Sequence, residues 1–132
     1  MQFAPYISFL AVMAALTLAA CQTTAPVTQE PLRYHGVQTR LLDNDLVQFH
    51  VTLSGTKSSE QVARYAECAA AQYTLIRGFG FARHVRTRIG QQADRLSADA
   101  VYTISRSLPQ GTKTIDAEVV ADACARDNIP MV

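Results

Sequence analysis

The densest run of chemically active side chains in this 132-residue sequence is basic: Arg77, Arg83, His84, Arg86 and Arg88. Alternate residues of an extended strand share a face, so His84, Arg86 and Arg88 are expected to form a cationic row, with Arg83 close by. Such a row can attract lipid head groups, lipopolysaccharide phosphates or an acidic protein surface. It can equally be a solvated strand face whose charge discourages edge pairing, which is the commoner use.

Other constellations are poorer. His35, His50 and His84 lie far apart, and there is no H-x-x-x-H or C-x-x-C, so a zinc site would need ligands from distant segments. No G-x-S-x-G presents a nucleophilic serine. Gly78-Phe79-Gly80 lacks the Lys-Ser/Thr of a phosphate loop and follows a helix instead of a strand. Asp43 and Asp45 flank Asn44, which reads as a turn and not as a catalytic pair. The expectation is no enzyme, no metal and no cofactor. Twelve Lys and Arg against eleven Asp and Glu give a formal charge of +1, which argues against a nucleic-acid partner held by many phosphate contacts.

The N-terminus is more specific. Met1 to Ala20 contains no charged side chain, and Ile7 to Ala20 is apolar except for Ser8 and Thr17. That run is too short for the roughly 20 residues of a membrane span, and fits the apolar region of a signal peptide. The segment before it has no Lys or Arg, where a signal peptide ordinarily carries positive charge. The run ends in Leu18-Ala19-Ala20-Cys21, which resembles the lipobox of bacterial lipoproteins. The resemblance implies a diacylglycerol thioether at Cys21, cleavage before it, and palmitate-type acyl chains as a membrane anchor. Gln22 stands where Asp often retains such proteins in the inner membrane. The implied address is the outer membrane, facing the periplasm. Domain boundaries follow: residues 1–20 as signal peptide, 21–31 as lipidated Cys and extended tether, and 32–132 as one domain.

Within that domain, residues 32–42 and Leu46–Leu53 read as strands, the second with Val47, Phe49 and Val51 on one face. Ser58 or Ser59 to Arg77 reads as a helix. Ser58 and Gln61 offer a capping box, and Val62, Ala66, Ala69, Tyr73 and Ile76 form its stripe, widened by Tyr65. Gly78 is placed to end it. Phe79, Phe81, Val85 and Thr87 share a parity that suggests a strand, and residues 89–97 read as a polar loop. Ala100–Leu108 and Thr114–Val120 read as a hairpin, the latter with Ile115, Ala117 and Val119 inward. The expected fold is α+β: one main helix on an antiparallel sheet, in the order ββαβββ.

Tyr65 to Thr87, with its Cys and alanines on a helix and Gly-Phe-x-Phe entering a strand, resembles a segment of small envelope lipoproteins. Together with the lipobox and a C-terminal strand ending near Cys124, the resemblance spans most of the domain. It implies a compact periplasmic α+β domain and no catalytic residues. If lipidation consumes Cys21, Cys68 and Cys124 remain, and an oxidising compartment favours a disulfide between them. Two buried free thiols are the alternative. The functional expectation is a membrane-anchored envelope lipoprotein with a structural or partner-binding domain. The alternative is an anion- or ligand-binding module. A concave pocket that joins Arg83, His84 or Arg86 to a carboxylate would favour that alternative or an enzyme. A closed domain with an exposed apolar patch would favour the first reading.

Overall fold

A computed structural model describes residues 24–26 and 28–131. The elements run β1 (Arg33–Leu41), β2 (Leu46–Ser54), α1 (Ser59–Ile76), β3 (Phe81–Gln92), β4 (Arg95–Ser105), β5 (Thr114–Asp116) and α2 (Ala117–Arg126). The five strands form one curled antiparallel sheet in the order β1-β2-β4-β3-β5. No helix among the described residues is long and apolar enough to cross a membrane. The lipobox, Cys21 included, lies outside the described residues.

The sheet buries one face. Val47, Phe49, Val51 and Leu53 of β2 oppose Tyr102, Ala100, Ala98 and Leu96 of β4, all buried. On α1, Val62, Ala66, Ala69 and Ala70 complete the core. Small residues on both sides let helix and sheet approach closely. As expected, Ser58 caps α1, its hydroxyl accepting from the Gln61 backbone N–H at 3.3 Å. The helix ends in a Schellman turn: Phe79 N–H donates to Thr74 O and Gly78 N–H to Leu75 O. Gly78 takes φ +78°, which favours glycine. Ile76, expected on the apolar stripe, is 64% exposed.

The expected order ββαβββ, with one helix, is corrected to ββαβββα. Thr114–Val120 is not a strand paired with Ala100–Leu108. Only Thr114–Asp116 is extended, and it pairs with β3. Asp116 then caps α2, its Oδ1 accepting from Glu118 N–H and Val119 N–H. A side-chain cap at that point satisfies donors that no strand would leave free. Val119, expected inward, is exposed on α2. Asn128, at φ +55°, ends the helix in a second Schellman turn, with Ile129 N–H donating to Cys124 O. Residues 89–97 are not a loop. They are the tip of the β3–β4 hairpin, turning at Ala93 and Asp94.

Cys68 and Cys124 are joined by a disulfide, with Cα atoms 5.9 Å apart and both residues fully buried. The bond links α1 to α2, so Cys124 lies within a helix and not past a strand.

Candidate functional site

The cationic row takes a different shape from the one alternation predicts. A β-bulge falls between His84 and Arg86, so Val85 is an extra residue on β3. The bulge reverses side-chain parity. Before it, Ala82 and His84 oppose Ile104 and Tyr102 on the helix-covered side. After it, Thr87 and Ile89 take that side, opposite Ala100 and Ala98. His84 therefore leaves the row. Arg83, Arg86 and Arg88 share the open face of the sheet, opposite Thr103, Val101 and Asp99.

Arg40 of β1 joins them, since it opposes Gln48, which opposes Val101. Gln48 Nε2 donates to Asp99 Oδ1. His50, opposite Asp99, is exposed as expected. Val101 is only 3% exposed, although its strand neighbours on this open face are Gln48 and Arg86. The face thus carries Arg40, Arg83, Arg86 and Arg88 with Asp99, and Arg33 and Arg95, both opposite Ser54, extend it toward the far end of β2. Arg77 is not part of it: it caps α1 and donates to the Tyr73 hydroxyl at 2.8 Å.

On the covered side, at the edge where α1 stops shielding β3, the same bulge builds a cleft of about 410 Å³. It is lined by Ala63 and Glu67 of α1, His84 and Thr87 of β3, Tyr102 of β4, and Lys113, Thr114 and Ile115. His84 Nε2 and Thr87 Oγ1 are 2.7 Å apart, and the imidazole meets the Tyr102 ring edge-on at 5.2 Å. The His84 N–H donates to the Lys113 carbonyl, which fastens the cleft's outer wall to β3.

Burial lowers the His84 pKa. Repulsion from Lys113 lowers it further, while Glu67 and a hydrogen bond with the Arg86 backbone act the other way. The neutral imidazole is therefore favoured, with the Lys113 cation and the Glu67 carboxylate acting in opposite directions. Burial also pushes the Tyr102 hydroxyl pKa far up, and the Glu67 charge adds to that. Both groups stay uncharged near neutral pH.

Sequence reasoning singled out His84 but placed it on the wrong face, and did not find Glu67, Lys113 or Tyr102. No local motif links them. Among the described residues, no group of three or more His, Cys, Asp or Glu side chains is arranged to hold a metal ion.

Residues 34–128 match the YNQ4 C-terminal domain. The chain is also 25% identical over 107 residues to the "Uncharacterized 26.9 kDa protein in nqo8 5'region" of Paracoccus denitrificans. That alignment covers 76% of this chain and 42% of the relative, so the chain spans less than half of the relative's length. No solved structure matches it.

Proposed function

This chain belongs to the YNQ4 C-terminal domain family, and on that premise we propose that it is a lipid-anchored envelope lipoprotein with a non-enzymatic, partner-binding or structural domain. The Cys68–Cys124 disulfide carries the reading, because buried bonds of this kind persist in oxidising compartments such as the periplasm. Cys21, behind Leu18-Ala19-Ala20, is the remaining cysteine of the sequence, and the lipobox resemblance gives its thiol a use. Two or three acyl chains there would hold the protein stably, since each buried CH₂ contributes about 0.8 kcal/mol and a single myristoyl chain gives only marginal binding. Gln22 favours the outer membrane as the destination. The test is the intact mass of the protein from membranes, beside a Cys21→Ser variant. Acylated, cleaved wild type and unprocessed variant are expected. A wild type with an unmodified Cys21 rejects the anchor.

A second reading, an anion-binding role, rests on the open face. Arg40, Arg83, Arg86 and Arg88 share it with Asp99, and Arg33 and Arg95 lie farther along the same face. His84 has no part in it. If this face meets lipid phosphates, retention on anionic vesicles should fall with salt and with Arg86→Glu. Equal retention on neutral and anionic vesicles at low salt removes this reading and leaves the anchor untouched.

A further inference from the structure

We infer that the cleft between α1 and the β3–β5 edge is a binding site for a small zwitterion, an ammonium and a carboxylate on one short scaffold, as in an amino acid or a dipeptide. Glu67 and Lys113 line the same cleft yet are not paired with each other, and among the described residues neither forms an ion pair. Opposite charges that share a cleft without neutralising each other leave one acceptor and one donor for a ligand's charged ends. His84 lines the same cleft and feels both charges. With its Nε2 bonded to Thr87 and its ring against Tyr102, the imidazole is a fixed part of the cleft wall.

Lys113 supports the same conclusion through its backbone. It takes φ +64°, an unfavourable region for a side chain with a Cβ, and its carbonyl is held by the His84 N–H. The fold maintains that strain at the rim of the cleft, where Lys113 is the residue of this loop whose charged side chain lines it. The cleft also has apolar walls, from Ala63, the Tyr102 ring and Ile115, beside the polar Thr87 and Thr114. They suit a small aliphatic side chain or methylene segment. A volume of about 410 Å³ lies within the usual range for small-molecule sites, which is roughly 300–1,000 Å³. Charge-assisted hydrogen bonds at both ends would supply orientation as well as affinity.

The experiment is calorimetric titration of the purified full chain with L-alanine, L-leucine and L-alanyl-L-alanine, with methylammonium and acetate as single-charge probes. A zwitterionic probe is expected to bind at least tenfold more tightly than either single-charge probe, a difference of about 1.4 kcal/mol. Glu67→Gln and Lys113→Gln should each weaken it by about tenfold or more, and Arg126→Gln, exposed in the last turn of α2 and outside the cleft lining, should not. Circular dichroism of each variant separates lost binding from lost folding. The inference is overturned if no zwitterion binds in the millimolar range. It is overturned too if acetate or methylammonium binds as well as the zwitterions, or if folded Glu67→Gln and Lys113→Gln retain full binding.

Discussion

Along β4, alternate residues meet two different surroundings. Leu96, Ala98, Ala100, Tyr102 and Ile104 face the helix and are all buried. Ser97, Asp99, Thr103 and Ser105, half-buried, face the other way beside Arg83, Arg86 and Arg88, with Val101 the one residue of that side that is buried. The covered side tolerates little volume change because a helix lies on it. The open side carries charge, and solvent-facing charges ordinarily contribute little to stability. The bulge at Val85 lets one strand serve both sides, giving three arginines to the open face and His84 to the cleft.

The largest effect should come from cutting what holds α2 to the covered side. The disulfide spans 56 residues of sequence, for which chain entropy predicts about 4 kcal/mol, with native strain able to lower the figure. Cys68→Ala combined with Cys124→Ala should lower denaturant stability by an amount of that order, and reducing the wild type should do the same. A loss below about 1 kcal/mol would mean that packing alone fastens α2.

Next comes volume against charge. Ala100 is fully buried, opposite Phe49 and Thr87 on the covered side. Ala100→Leu should cost about 1–3 kcal/mol by forcing α1 away from the sheet. Arg88→Gln, one register step away on the open face, should change stability by less than about 0.5 kcal/mol. Urea unfolding measures both. Equal losses would mean that the arginines are built into the fold and are not a free surface.

Parts of this architecture were legible in the sequence. β2 and α1 showed clean periods, and Ser58 and Gly78 are strong helix-end signals. The second helix was not legible, because Ile115, Ala117 and Val119 alternate as a strand would. Asp116 followed by Glu118, and the 3-4 spacing of Ala117, Val120 and Cys124, were the competing signals. Asp116 prevailed because its side chain meets two backbone N–H groups. The hairpin tip was hidden because Gln91, Gln92 and Arg95 lie exposed where strand pairing, not burial, holds the chain. The cleft was beyond sequence reasoning for a different reason. Its polar groups come from α1, β3 and the loop before β5, and a one-residue bulge sets the parity of β3 beyond His84.

The smallest effect belongs to that histidine. Burial, then Lys113, hold its folded pKa below the ordinary 6.5. The unfolded chain therefore takes up the proton more readily than the native one. Its contribution to stability is fully present above 6.5 and is lost as pH falls through 6.5 and then through the lower folded value. Glu67 and the Arg86 backbone oppose the shift, and the ring is partly open to solvent, so the slope should be shallow. His84→Gln keeps a polar group near Thr87 but cannot titrate. Melting temperatures measured on both sides of pH 6.5 should fall less in this variant than in wild type as the solution is acidified. An unchanged slope would show that the acid sensitivity arises elsewhere, and that burial and Lys113 do not hold His84 neutral.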